Sequence, residues 1–235
     1  MLIPQFNSKS AGFTWQGLDW EWLPNRILWH AESRSAFLTD FHIGKAEAFQ
    51  RAGINLPNTS SSKQIQAFFE FVAQHNMERV FLLGDLLHGP TTTETTAFLK
   101  SLEKHKELEF HWILGNHDQK FGTTFGKDLP NLKRSARVQW NGIELCHEPK
   151  EASGLPFMCG HLHPGIRIPS GARQHLTLPC GILSADSLIL PAFGTLTGLQ
   201  IQAPNLNTTY FIFTGQEVHE IAFKKEHPAG KKKSN

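Results

Sequence analysis

The chain has 235 residues, with 40% hydrophobic and 19% charged side chains, a balance that suits a globular protein and excludes a disordered or fibrous one. No run approaches the ~18 apolar residues of a membrane span, and the start, "MLIPQFNSKS", lacks the basic-then-apolar order of a secretory signal. The net charge of +2 resides in the last twelve residues, which hold five Lys and one Glu, so the body is mildly acidic and unlike a protein that coats DNA nonspecifically.

Three cysteines, an odd number with no CxxC, point to a reducing, cytoplasmic setting and to thiols used as small core residues. In chain order, "RSAFLTD" (34–40) reads as a short strand. Residues 60–76 read as a helix, with Ile65, Phe68, Phe69, Val72 and Ala73 at helical spacing. "RVFLLGD" (79–85) is a second strand, and Thr91 with Glu94 forms a capping box for a second helix to about residue 106. "EFHWILGN" (109–116) is a third strand. The alternation predicts a partly parallel sheet with helices on its faces. Beyond residue 137 the short strands are separated by Gly, Pro, Ser and Asn with no convincing helix. One α/β domain over residues 1–223 with a second sheet, and a Lys-rich tail over 224–235, is the expected organisation.

Six of the thirteen histidines fall in short polar clusters that follow apolar runs. "FLTDFH" delivers Asp40 and His42, "FLLGDLLH" delivers Asp85 and His88, and "WILGNHD" delivers Asn116, His117 and Asp118. Adjacent parallel strands bring their carboxyl ends to one edge, where sites form. Residues i and i+2 of an extended chain share a face, so Asp40 with His42, and His161 with His163 of "GHLHPG", are expected to converge. His147 in "LCHEP" closes another strand. Each cluster alone is a common turn, but five in order argue for one site. Asp40, His42, Asp85, Asn116, His147, His161 and His163 combine carboxylates, imidazoles and an amide without a thiolate, which suits Mn, Fe or Zn. Seven ligands exceed one tetrahedral zinc and fit two cations about 3.5–4 Å apart sharing a carboxylate. Gly84, Gly115 and Gly160 are expected to allow sharp turns beside them. Lys133, Arg134 and Arg137 form a basic cluster, read as a solvated face with nucleic-acid contact as the minority alternative.

The order D-x-H, G-D-x-x-H, G-N-H-D, His, G-H-x-H over residues 36–165 resembles the calcineurin-like metallophosphoesterase superfamily. The resemblance implies a two-sheet β-sandwich flanked by α-helices. Carried over by position, it implies Asp40, His42, Asp85 and His163 on the first metal and Asp85, Asn116, His147 and His161 on the second, with Asp85 the bridge. It also implies that His117 acts on the leaving oxygen with His88 in support. Asp118 is placed in an outer supporting role. Lys45 and Arg51, just after the first motif, are the candidate phosphate contacts. "GDLLHG" departs from the GD-x-x-D-R-G pattern of protein Ser/Thr phosphatases. The segments "DFHIGKAEAFQRAGINLP", "GDLLHG", "GNHD", "CHEP", "GHLHPGIRI" and "LPAFGTLTG" are similar to the bacterial ligase-associated DNA damage response endonucleases. That similarity implies a manganese-dependent phosphodiesterase acting on single-stranded DNA in repair, beside a DNA ligase and a helicase. A phosphodiesterase or phosphatase for small nucleotides is the runner-up. A non-catalytic scaffold of the same fold ranks third, because such relatives typically lose ligands that are all present in this chain. No membrane partner is expected, and a homo-oligomer stays open.

Overall fold

The computed structural model describes residues 2–8, 11–54, 60–89, 92–121, 124–149, 154–170 and 174–225. In chain order, β1 (Leu2–Ser8), β2 (Gly12–Trp15), β3 (Leu18–Leu23), β4 (Ile27–His30) and β5 (Ser35–Leu38) precede α1 (Lys45–Arg51) and α2 (Ser60–Gln74). Then come β6 (Arg79–Leu83), α3 (Thr93–Lys104), β7 (Glu109–Ile113), a 3-10 turn at Asp118–Lys120, and β8 (Leu132–Ser135). The rest is strand: β9 (Val138–Trp140), β10 (Ile143–Leu145), β11 (Phe157–Cys159), β12 (Pro164–Pro169), β13 (His175–Leu183), β14 (Ser187–Ile189), β15 (Gln200–Ile201), β16 (Thr209–Phe213) and β17 (Val218–Lys225). The last strand therefore runs two residues into the expected tail, and residues 226–235 lie outside the described residues.

Two sheets result. The seven-stranded sheet has the order β2-β3-β4-β5-β6-β7-β8, antiparallel up to β5 and parallel from β5 to β8. The other has ten strands, with β1 on β17 at one end and β9 at the other. Side-chain alternation divides the first sheet between two cores. Leu38 and Leu82 face Ile65, Phe68, Val72, Phe98 and Leu102 of the helices. Phe37, Phe81 and Leu83 face Leu145, Met158, Leu188 and Phe211 of the second sheet. Phe37 stacks on Phe81 with centroids 4.8 Å apart, and each such ring contributes roughly 1.5–3 kcal/mol by burial. β5 and β6 are buried on both faces, which is why they read as continuous apolar runs. The architecture is a two-sheet sandwich flanked by helices. Among the described residues the helices cover one face, and the far side of the second sheet packs its own Ile166, Ile168, Tyr210, Ile212 and Phe223.

The α3 cap sits one residue later than the spacing suggested: Thr92 Oγ1 accepts from Thr95 N at 3.1 Å while Thr92 N donates to Thr95 Oγ1 at 2.6 Å. Thr91 lies outside the described residues. Glu94 is thereby released to accept from Gly44 N at 2.9 Å, which ties α3 to the loop that carries His42. No described helix is long and apolar enough to cross a membrane.

Candidate metal centre

β5, β6 and β7 end level, since Leu38 pairs with Leu82 and Leu83 with Ile113. The loops beyond them stay bonded: Asp40 N donates to Gly84 O at 3.0 Å, His42 N to Asp85 O at 2.9 Å, and His88 N to Ile43 O at 3.0 Å. Thus Asp40, His42, Asp85 and Asn116 reach one edge. From the second sheet, His147 follows β10, and His161 and His163 follow β11. The segment after β14 seals the junction, with Phe193 N on Thr39 O at 2.9 Å and Gly194 N on Asp40 O at 3.0 Å.

Convergence is achieved, but not by extended backbone. Asp40, His42, Asp85, His161 and His163 have φ of 53°, 51°, 51°, 69° and 42°. This left-handed region costs roughly 1–2 kcal/mol per residue, and such strain gathers at functional sites. The glycines also differ from expectation. Gly84 does use positive φ (88°), but Gly115 and Gly160 do not. They are glycine for closeness: a Cβ on Gly115 would strike the Asp85 carboxylate, and one on Gly160 would strike Thr39.

The ligand-type atoms fall into two clusters, Asp40–His42–His163 and Asp85–His147–His161, each within 4.8 Å. Asp40 Oδ1 lies 3.2 Å from His163 Nε2. Its Oδ2 accepts from His161 N at 3.0 Å and is 2.9 Å from Thr39 Oγ1. His147 Nε2 meets Asn116 Oδ1 at 3.2 Å, His161 Nδ1 at 3.2 Å and Asp85 Oδ1 at 3.4 Å. Asp85 stands between the clusters, its Oδ2 being 3.8 Å from His42 Nε2, which is where a shared carboxylate has to be. All seven expected ligands are brought together.

These groups fit a cation pair. Asp40 Oδ1, both ring nitrogens of His42 and His163 Nε2 are buried without a hydrogen-bond partner. Each such group costs roughly 1–3 kcal/mol, a cost that coordination removes. The donors are all N and O, suited to a borderline or hard divalent ion. His147 Nδ1 donates to Leu83 O at 2.9 Å, which presents Nε2 as the lone pair. Without metal, burial and the Asp85 hydrogen bond oppose each other at His147; the bond prevails and lifts the imidazole to about 9. Burial pushes the Asp85 carboxyl up, but His147 and the His117 amide hold it down at about 2. Burial takes His42 down to about 3 despite Asp40 and Asp85 beside it.

Other expected residues are placed as follows. The exposed His117 ring has its centroid 5.1 Å from that of His42, and its amide donates to Asp85 Oδ1 at 3.0 Å. His88 stacks on His117 at 5.7 Å, with its Nδ1 unpartnered. Burial lowers the His88 imidazole, and Lys45 and His117 lower it further. Asp118 is fully buried: Oδ2 accepts from Trp112 Nε1 (3.0 Å), Gly115 N (2.9 Å) and Leu86 N (3.3 Å), and Oδ1 from Leu87 N (3.0 Å). Lys45 is half-buried at the start of α1, where burial lowers its ammonium while Asp40 and Asp85 raise it. Arg51 sits six residues along α1 from Lys45, about 9 Å by helical rise, exposed and paired with Glu47 at 3.5 Å. Nor is the basic cluster a free patch. Lys133 pairs with Glu109, Arg134 lies 5.8 Å over the Trp112 ring, and Arg137 pairs with Glu144 at 3.6 Å.

The sequence reading missed Thr39, whose hydroxyl lies between Asp40 Oδ2 and Leu83 O (2.9 and 2.8 Å). The only signal was its place directly before Asp40. It also missed an open cleft of about 580 Å³ beside Asn116 and His147.

The family model described as calcineurin-like phosphoesterase matches residues 33–173, a span that contains every ligand-type residue above. Among solved structures, the nuclease MPE of Pseudomonas putida superposes with a TM-score of 0.73 at 23% identity, covering 88% of this chain and 98% of that one. A second, Yfce, a phosphoesterase from E. coli, gives a TM-score of 0.38 at 15% identity over 76% of this chain and 86% of that one, too little to bear weight. No curated protein matches the chain.

Proposed function

Because the chain belongs to the calcineurin-like phosphoesterase family, we propose that this metal-dependent phosphoesterase is a two-metal phosphodiesterase that cuts single-stranded DNA. The observation that carries it is the pair of ligand clusters with Asp85 between them and buried, unpartnered donors facing inward. Asp40, His42, Asp85 and His163 would hold one cation, and Asp85, Asn116, His147 and His161 the other. When bound, the pair supplies Lewis acidity that neutralises a phosphate and lowers the pKa of water. The chain's own residues do the rest. His117, exposed and anchored through its amide to Asp85, faces the substrate side and gives a proton to the leaving oxygen. His88 stacks on that ring and holds its orientation. Lys45 is a half-buried cation beside Asp40 and Asp85, placed to draw in an anion.

Support for a nucleic-acid substrate comes from the open cleft and from the nuclease among the structural neighbours. The motif resemblance supports manganese as the metal and a setting in ligase-associated DNA repair, with a DNA ligase and a helicase as functional associates.

The test strips the protein of metal, reloads it with Mn, and offers circular single-stranded DNA and bis-p-nitrophenyl phosphate. The reading requires that wild type cut both and that Asp85→Ala cut neither. His117→Ala is expected to keep its metals, by elemental analysis, and lose DNA cleavage. Hydrolysis of the small ester alone would replace DNA with small nucleotides. Failure on both with Mn, Fe or Zn would leave a scaffold.

A further inference from the structure

We propose that the cleft beside the second cluster receives one unpaired nucleoside next to the scissile phosphate, making it the origin of single-strand selectivity. The inference deepens the phosphodiesterase reading and rests on it for its substrate.

The cleft follows from where three segments stop. Leu114 and Asn116 come off β7, Arg137 comes off β8, and His147 to Pro149 come off β10. Between them is an open space of about 580 Å³, within the range of roughly 300–1,000 Å³ of small-molecule sites. Two of its walls, Asn116 and His147, are expected ligands of the second cation. A group attached to a phosphate held there has to leave through this space or away into solvent. Beside His42 and Lys45 the pocket is about 10 Å³, a single water at most. Of these two pockets, only the cleft has the volume for a nucleoside.

The lining, which also includes Cys146 and the exposed carboxylate of Glu148, is of mixed character and suits a nucleoside better than a bare anion or an apolar molecule. Leu114 and Pro149 give a small apolar surface for a sugar or base face. The exposed amide of Gln119, on the turn after Asn116, can donate and accept. Arg137 is held at the rim by one contact to Glu144 at 3.6 Å. Its guanidinium has five N–H donors, so further donors are available for a backbone phosphate or a base edge. Among the described lining residues there is no Phe, Tyr or Trp, and the one aromatic ring, that of His147, is an expected metal ligand, so the Arg137 plane is the available stacking surface. A base that is paired and stacked in a duplex cannot enter such a space without being extruded, at a few kcal/mol. Single strands avoid that cost.

The experiment measures binding apart from turnover. Mn-loaded wild type, Ala136→Trp and Arg137→Gln are titrated by calorimetry with inorganic phosphate, thymidine 3′-monophosphate and thymidine 5′-monophosphate. Ala136 is exposed on the cleft, so a Trp there fills it from outside the core. Wild type is expected to prefer one thymidine phosphate over inorganic phosphate by roughly tenfold to a hundredfold, the size of one charge-assisted hydrogen bond. In both variants that ratio should fall towards one, and the preference for single-stranded over duplex oligonucleotide should fall with it. The assignment is overturned if wild type binds nucleotide no better than phosphate, or if the variants keep the ratio. Should wild type show the preference yet cleave no diester, the cleft stands and the phosphodiesterase reading falls. Should it cleave DNA while Ala136→Trp behaves as wild type, the cleft assignment falls alone.

Discussion

The hydrogen bonds of Asp118 go to none of the expected metal ligands' side chains, yet replacing it should damage the site through the backbone. Its carboxylate is fully buried and accepts four N–H bonds, three on Oδ2 and one on Oδ1, from Trp112, Gly115, Leu86 and Leu87. Those donors join the loop after β6, which carries Asp85 and His88, to the loop after β7, which carries Asn116 and His117. In Asp118→Ala all four N–H groups lose their acceptor, at roughly 1–3 kcal/mol each. Burial pushes this carboxyl upward, so removing it returns part of the cost of holding a charge in the core. The net expectation is about 4–6 kcal/mol, a large share of the ~5–15 kcal/mol of a typical domain. Asp118→Asn keeps one oxygen for the three donors and sets its amide against Leu87 N–H, for about 2–3 kcal/mol. Urea unfolding with chelator, followed by tryptophan fluorescence, measures both. In the folded Asn variant the rate on a phosphodiester should drop by about a hundredfold, as for a displacement near 1 Å. Stability of Asp118→Ala within about 1 kcal/mol of wild type would refute the reasoning.

Gly160→Ala would press a methyl into Thr39, and overpacking of this kind costs about 1–3 kcal/mol; chelator competition should show weakened metal binding, and full affinity would mean the crowding is relieved elsewhere. In the chelated protein His147 titrates at about 9 when folded, against ~6.5 unfolded. Its stabilisation is complete below pH ~6.5 and lost as pH rises to about 9, close to 3 kcal/mol from the shift. His42, held to about 3, acts the other way, since the unfolded chain takes a proton below pH ~6.5 that the folded chain refuses. A stability maximum near pH 6.5 by urea titration is therefore expected, and a flat profile from 6.5 to 9 would contradict the His147 assignment. Lys133→Ala should leave DNA cleavage within about twofold, because an exposed pair contributes roughly 0–1 kcal/mol and Lys133 faces Glu109 at the start of β7, the end remote from the metals; a large loss would restore its role at a nucleic-acid backbone.

The convergence of the seven expected ligand residues was legible because each follows a buried run whose end is fixed by the sheet. The expected geometry of Asp40 and His42 was not, because spacing in the chain carries no sign of φ, and left-handed backbone rather than extended strand aims them. The helix over 60–76 was legible from Ile65, Phe68, Phe69 and Val72. The seven-residue α1 was too short for periodicity to appear. Arg51 was a candidate by proximity in sequence, and the structure pairs it with Glu47 one turn back on α1. The cluster Lys133–Arg134–Arg137 read as solvated because its partners Glu109, Trp112 and Glu144 are brought to it only by the sheets. "LPAFGTLTG" carried resemblance without a reason; the structure supplies one, since Gly194 lies so close to Asp40 and Phe41 that a Cβ would meet their carbonyl oxygens.

The two sheets share the ligands, and this orders the centre in time. Of the seven expected ligands, Asp40, His42, Asp85 and Asn116 come from one sheet and His147, His161 and His163 from the other, and His163 is 123 positions after Asp40. At about 5–20 residues per second, synthesis of that interval takes roughly 6–25 seconds, during which the early ligands have no partners. The second sheet closes later still, for β1 pairs with β17 through Leu2 and Lys225. The expected centre is therefore assembled only after the residues of both sheets that carry it have been made and the sheets have docked.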